Sequence, residues 1–174
     1  MTQAPARILL LGGTGFVGRH VCEKLTRMGS SMTVITRRAN QASAIQNLPR
    51  VTVIEGDVYN LEFLTQCMQK HDVVINLIAI LHGTPAAFEK AHVQLPQVIA
   101  QACQDSGVHR LIHISALGAS LTGPSEYQRS KARGEEIFKQ AGLELTLLQP
   151  SVIFGKEDKF LNLFAQLQSI TPIV

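Results

Sequence analysis

Ile8-Leu9-Leu10-Leu11-Gly12-Gly13-Thr14-Gly15-Phe16-Val17-Gly18 is the stretch that decides the reading of this 174-residue chain. An apolar run, a glycine-rich turn and the first turn of a helix follow one another near its start. Gly12 lets the chain turn sharply off a strand, and Gly15 lets the backbone approach a pyrophosphate with no Cβ in the way. Gly18 lets the helix lie close on the sheet. The free N–H groups and positive end of that helix then suit phosphate oxygens. A tight turn with no ligand is the competing reading. The strand–turn–helix context and the second strand that follows favour a dinucleotide site.

Outward from that turn, apolar runs alternate with helical patterns. Strands are expected near 7–11, 32–36, 51–55, 73–78, 109–115 and 144–148, and helices near 16–29, 39–48, 61–70, 85–106, 125–141 and 157–169. The first helix places Val17, Val21, Leu25 and Met28 on one face and stops at Gly29. The fourth carries Phe88, Ala91, Leu95, Ile99 and Ala102 at three- and four-residue steps and closes at Gly107. Val73-Val74-Ile75 and Leu111-Ile112-His113-Ile114 are short and largely apolar, as strands covered on both faces must be. Repeated βα units with short connections predict an α/β fold, a Rossmann-type doubly wound parallel sheet ordered 3-2-1-4-5-6 with helices on both faces. Pro96 falls inside the fourth helix and cannot donate to the His92 carbonyl. A kink there frees that carbonyl for a water or a neighbour, or simply helps the helix wrap the sheet. His113, on a buried strand, reads as a core histidine.

The length suits one domain, 1–174, with a proper core. Hydrophobic residues make up 45% and charged ones 17%, so the chain is globular. A net charge of +3 without blocks of like charge gives no reason to invoke nucleic acid. Val73 to Leu81, the longest uncharged apolar stretch, is too short to span a bilayer. Residues 1 to 6 lack the basic start and apolar core of a signal peptide. Cys22, Cys67 and Cys103 are far apart on expected helices and have no metal-binding spacing, so they read as buried thiols in a reducing compartment. A cytoplasmic protein is expected. After the last expected helix the chain runs Thr171-Pro172-Ile173-Val174, leaving little to cover a crevice at the strand ends. Either a C-terminal substrate domain is missing, or the chain is a bare cofactor domain.

At the end of the second strand, Thr36 stands where a carboxylate commonly binds the ribose 2′-hydroxyl of NAD, and Arg37 and Arg38 follow. Guanidinium groups suit a 2′-phosphate, so NADP(H) is favoured over NAD(H). Two solvated arginines are the plainer reading. Asp57, in Glu55-Gly56-Asp57-Val58 after the third strand, suits an adenine amino group or serves as a turn cap. Asn76-Leu77-Ile78-Ala79, after the fourth strand, should run beside the adenosine ribose and pyrophosphate.

Ser115 ends the fifth strand, and Tyr127 and Lys131 stack one turn apart on the fifth helix. An ammonium beside a phenol favours the phenolate and should lower its pKa. Such a tyrosine exchanges a proton with an alcohol or carbonyl while a nicotinamide exchanges hydride. The lysine can also hold the nicotinamide ribose, and the serine can steady a substrate oxygen.

With Gly12-x-x-Gly15-x-x-Gly18, Tyr127-x-x-x-Lys131 and Gln149-Pro150-Ser151-Val152-Ile153-Phe154-Gly155 in this order, the chain resembles the short-chain dehydrogenase/reductase superfamily. It is most similar to its extended or atypical, epimerase/dehydratase-like branch. Phe88 to Val93, Tyr127 to Glu135 and Pro150 to Phe164 resemble bacterial relatives of the complex I alpha subcomplex subunit nine. The resemblance implies NADP(H) on Gly12, Thr14, Gly15, Phe16, Val17, Gly18, Arg37, Arg38 and Asp57, with Val58, Leu77, Ile78, Ala79 and Lys131 alongside. It implies Pro150, Val152 and Ile153 beside the nicotinamide, and Tyr127 and Lys131 as the catalytic pair. His92 falls where many members carry Asn, and Gln149 where Arg commonly precedes the proline. Ser115 precedes Ala116-Leu117-Gly118 instead of further hydroxyls, so Ser115 and Ser120 both stand as the active serine. Three functions follow. One is an oxidoreductase, epimerase or dehydratase acting on a small molecule. The second is a non-catalytic, nucleotide-stabilised partner of a respiratory or quinone-pathway assembly, peripheral at the inner membrane. The third is a sensor of the NADPH/NADP+ ratio, against which Tyr127 argues.

Overall fold

The computed structural model describes residues 6–155. Six parallel strands form one sheet in the order β3-β2-β1-β4-β5-β6, as the alternating pattern predicts. They are β1 (Arg7–Leu11), β2 (Ser31–Thr36), β3 (Val51–Glu55), β4 (Val73–Asn76), β5 (Arg110–Ile114) and β6 (Glu144–Leu148). The helices are α1 (Phe16–Arg27), α2 (Leu61–Met68), α3 (Pro85–Glu89), α4 (Leu95–Ser106) and α5 (Glu126–Gln140). Pairing aligns the carboxyl ends: Leu11 lies opposite Ile35 and Asn76, Thr36 opposite Glu55, and Ile114 opposite Leu148. The chain builds outward from β1 to β3, then crosses back to β4. A crevice therefore opens beyond the ends of β1 and β4, where such sheets bind ligands.

Alternation along β1 divides the core. Leu9 and Leu11 join Ile35, Val74 and Leu111 beneath Leu64, Met68, Leu95, Ile99 and Phe138 of α2, α4 and α5. Ile8 and Leu10 join Met32, Val34 and Ile75 on the other face, beneath Cys22 of α1 with Ala42 and Ile45. All five residues expected on the inner stripe of the fourth helix are buried. The α1 stripe differs. Gly18 and Cys22 are its buried residues, Val21 and Leu25 are partly buried against the core, and Met28 caps the helix with 69% of its surface exposed. Cys22 and Cys103 are buried and their thiols pushed up to about 11 and about 12 by desolvation, whereas Cys67 is only half-buried.

Two expected helices are corrected. Over 39–48 only a 3-10 turn, Ala39–Ala42, forms. Asn40, Ser43 and Asn47 favour turns, and Pro49 disfavours a helical Leu48. Only Ala42 and Ile45 are left to bury, which is one turn's worth of core. The helix expected over 85–106 is divided by a π-helical segment, Lys90–Gln94, in which the Leu95 N–H reaches the Lys90 carbonyl. Pro96 cannot serve the His92 carbonyl, and the wide turn just before it absorbs the mismatch. The neighbour expected at that carbonyl is Gly134 of α5. A Cβ there would overlap His92 O, so a glycine is what lets α5 lie directly on it. The helix expected over 157–169 lies outside the described residues. Among the described residues, no helix is long and apolar enough to cross a membrane.

Candidate functional site

Gly12 leaves β1 at φ +85°, and a Cβ on it would crowd the Leu77–Ile78 backbone at 3.1 Å. The turn is thus pressed against the loop after β4. A Cβ on Gly18 would strike the Gly12–Gly13 backbone, so the helix start sits on the turn. Gly15 differs: it is exposed and would meet only Gly12 O, at 3.3 Å. The open side of Gly15 faces away from the protein. As N-cap of α1 it offers no side-chain acceptor, and the first turn holds no acidic residue. Backbone N–H groups at the start of α1, beside Phe16 and Val17, are therefore available to an anion. Thr14 lies in the same turn.

At the end of β2, Thr36 is buried and exchanges contacts with Arg38: its Oγ1 donates to Arg38 O at 3.2 Å and accepts from Arg38 N at 3.3 Å. This small turn leaves the Arg37 and Arg38 side chains exposed beside the crevice. Asp57 Oδ1 accepts from Tyr59 N at 3.0 Å, which is the turn-cap role, and Val58 is buried behind it. After β4, Asn76 is fully buried. Its Oδ1 accepts from Ile78 N at 3.0 Å and its Nδ2 reaches His113 Nδ1 at 3.1 Å. His113, with its pKa lowered to about 3 by burial, is neutral and fixes the start of the Leu77-Ile78-Ala79 loop through Asn76.

Tyr127 enters the site from the first turn of α5. A capping box fixes that turn: Ser125 Oγ accepts from Gln128 N, and Gln128 Oε1 accepts from Ser125 N, both at 3.2 Å. The half-buried phenol ring stands edge-on to His92, centroids 5.6 Å apart, and to Phe88 at 6.1 Å. His92 Nε2 accepts from Ile80 N at 3.2 Å, so the ring proton sits on Nδ1 and goes to Ser130 Oγ, 2.9 Å away. Ser130 in turn donates to the Tyr127 carbonyl at 2.9 Å. Burial, with Lys131 and Arg133 nearby, lowers the His92 pKa to about 4 and keeps it neutral in this chain of contacts.

Lys131 is only 2% exposed, and its Nζ donates to Ile114 O at the carboxyl end of β5, 2.9 Å away. Desolvation lowers it to about 8, with Glu135 opposing. The expected lowering of the tyrosine is not what the geometry gives. Burial raises the Tyr127 pKa, because the ammonium points to the sheet end. Ser115 is buried and donates to Glu135. Ser120 sits apart, 3.2 Å from Thr122 Oγ1. Pro150 is tied back to the loop after β5 by Leu117 N, at 2.8 Å. Val152, Ile153 and Phe154 are exposed, and a Cβ on Gly155 would lie 3.1 Å from Phe16 Cζ. The segment after β6 thus returns to the start of α1 and borders the crevice.

The structure brings the glycine turn, the β4 loop, Tyr127 with Lys131, and the Pro150–Gly155 segment to one edge of the sheet. The arginines flank it. Sequence reasoning passed over Asn76 as an anchor, Ser130 and Glu135, and marked His92 only as standing where many members of the resembled family carry Asn. Asn76, Ser130 and Glu135 gave no signal by spacing, because their roles depend on partners brought from elements remote in sequence. Among the described residues no group of three or more His, Cys, Asp or Glu is placed to hold a metal ion.

Residues 12–163 match the NAD(P)H-binding family. The chain belongs to it. This NAD(P)H-binding chain is 39% identical over 162 residues to mouse NADH dehydrogenase [ubiquinone] 1 alpha subcomplex subunit 9, mitochondrial, covering 90% of itself and 43% of that subunit. It is 28% identical over 175 residues to the ceramide reductase of Caulobacter vibrioides, covering 99% of itself and 54% of the enzyme. It thus spans about half the length of these relatives. The fold is that of the Bordetella bronchiseptica enzyme WbmH in complex with NAD+, with TM-score 0.79 at 20% identity over 95% of this chain and 63% of that one. The resemblance to the complex I subunit read from the motifs therefore stands, and the likeness to epimerase/dehydratase-type structures holds at the level of the fold.

Proposed function

We propose that this chain binds NADP(H) across the ends of β1 and β4 and transfers a proton through Tyr127 to or from a substrate oxygen. The observation that carries the reading is the placement of Tyr127 and Lys131, one turn apart on α5, at the edge where the uncapped start of α1 opens. The pyrophosphate fits the α1 N-terminus, where Gly15 is bare and no carboxylate opposes it. Gly12, Thr14, Phe16, Val17 and Gly18 shape that cradle, and Leu77, Ile78 and Ala79 flank it. Arg37 and Arg38 would hold the 2′-phosphate. Val58 and Asp57 border the adenine, and Pro150, Val152 and Ile153 border the nicotinamide.

When bound, the cofactor supplies or takes a hydride. The chain's own part is the proton. Burial keeps the Tyr127 phenol protonated at neutral pH, so it donates to a carbonyl oxygen as that carbon gains hydride, the reductive direction. Lys131, protonated below about 8, lies one turn along to bind ribose hydroxyls. Tyr127→Phe removes one hydroxyl from a ring held by Phe88 and His92. NADPH binding should persist while NADPH-dependent carbonyl reduction falls on the order of 10²–10⁴-fold. Unchanged turnover would remove Tyr127 from the chemistry.

A second reading has its own support. The greater identity to a complex I subunit than to a reductase, with Ser115 turned toward Glu135, suits an accessory protein that binds the nucleotide for stability and docks to a respiratory or quinone-pathway partner. On that reading Tyr127→Phe changes nothing, whereas Gly15→Val, which blocks the cradle, releases the partner.

A further inference from the structure

The step that carries Tyr127 and Lys131 continues to Glu135, a carboxylate only 4% exposed on the inner face of α5. Its Oε1 accepts from the Ser115 hydroxyl and from Gln149 Nε2, the latter at 2.8 Å, while Lys139 Nζ lies 3.6 Å from Oε2. One buried carboxylate thereby joins α5 to the residues just beyond β5 and β6. A serine hydroxyl has a single proton, and an ionised carboxylate can only accept. Ser115 gives that proton to Glu135, so it has none to offer a substrate carbonyl, which also only accepts.

We propose that Glu135 is a positioning residue of this site: it commits Ser115 to a latch across the sheet ends and leaves proton donation to Tyr127. The proposal rests on the Tyr127–Lys131 reading above and deepens it, since it decides against Ser115 as the substrate's hydrogen-bond donor. Electrostatics supply a second role for the same carboxylate. Lys131 is buried against Ile114 O, and Glu135 is the negative charge that opposes its desolvation. The other groups facing Lys131 are His113 of β5 and His92 of the π segment, both neutral. Lys139 faces Glu135 from the next turn of α5.

A latch that only stabilises the fold would leave the Lys131 titration unmoved. The test is made on the full chain without ligand, following the 13C-labelled Lys131 side chain by NMR, with the signal assigned by loss in Lys131→Met. Glu135→Gln should lower the Lys131 midpoint by roughly one unit, the size of a lost opposite charge nearby. Glu135→Asp keeps the charge and should hold the midpoint, but its shorter side chain no longer reaches Ser115. Ser115→Ala should then destabilise the unaltered chain and add almost nothing in the Glu135→Asp background, a coupling on the order of tenfold in the unfolding constant. Ser115→Thr, which restores a hydroxyl, should recover most of that loss. An identical Lys131 midpoint in the unaltered chain and Glu135→Gln, or an equal cost of Ser115→Ala in both backgrounds, overturns the proposal. Failure of NADPH to bind the unaltered chain overturns the proposed function instead, because the titration needs no nucleotide.

Discussion

Arg37 and Arg38 are exposed at the end of β2, and the proposed preference for NADP(H) rests on these two residues. A guanidinium carries no burial penalty there, and in the proposed complex it would meet the 2′-phosphate through charge-assisted bonds. Thr36 has no carboxylate to offer a ribose diol, and its hydroxyl is engaged by the Arg38 backbone. Arg37→Ala should therefore weaken NADPH by about 1.5–3 kcal/mol, at least tenfold, and leave NADH nearly untouched. Fluorescence titration with both nucleotides checks this. Equal losses for the two would mean that Arg37 reads no phosphate. Much of the candidate site was legible at this scale, since glycines, arginines and a Tyr–Lys pair announce themselves by type and spacing, and the fold brings them to the same ends of the strands. Glu135 did not, because a glutamate on a helix reads as a solvated charge until Ser115 and Gln149 are brought to it by strands remote in sequence.

At the scale of elements, the crossing of α5 over the π segment determines how Tyr127 faces His92. A proline removes one hydrogen bond, a wide turn absorbs the mismatch, and Gly134 lets the neighbouring helix cover the bare carbonyl. Gly134→Ala ordinarily favours a helix. Here the added methyl meets backbone at His92 O and lies 3.3 Å from Pro96 Cγ, so neither neighbour can swing aside. Overpacking of this kind costs about 1–3 kcal/mol, which outweighs the propensity gain. Chemical denaturation should show Gly134→Ala less stable than the unaltered chain. A more stable variant would mean that the helices separate without cost. The six strands were readable because each is a short apolar run between turn residues. The 39–48 segment was misread because its two apolar anchors resemble a helix face only until Pro49 and the asparagines are weighed. The π turn was half legible: Pro96 foretold a break, but not which neighbour would cover the carbonyl.

The whole molecule places two neutral histidines, His92 and His113, where protonation is costly. Burial holds them at about 4 and about 3, below the ordinary 6.5. The unfolded chain therefore binds these protons first as pH falls, and stability is lost from about pH 6.5 downward. Each group contributes a slope approaching about 1.4 kcal/mol per pH unit. Urea midpoints at pH 7, 6 and 5 should fall in sequence, above the range where most carboxylates titrate. His92→Gln should flatten the trend, and a level profile between pH 7 and 5 would contradict the burial of both rings. The same two side chains anchor the β4 loop and the Tyr127 turn, so the acid-sensitive core and the crevice are one structure. In the proposed function NADP(H) sits in that crevice, on the uncapped start of α1 between the arginines and Tyr127. Calorimetric titration of the full chain with NADPH and with NADH tests it most directly. One NADPH per chain, bound roughly tenfold or more tightly than NADH, is the predicted result. No heat with either nucleotide, or equal affinity for the two, would contradict it.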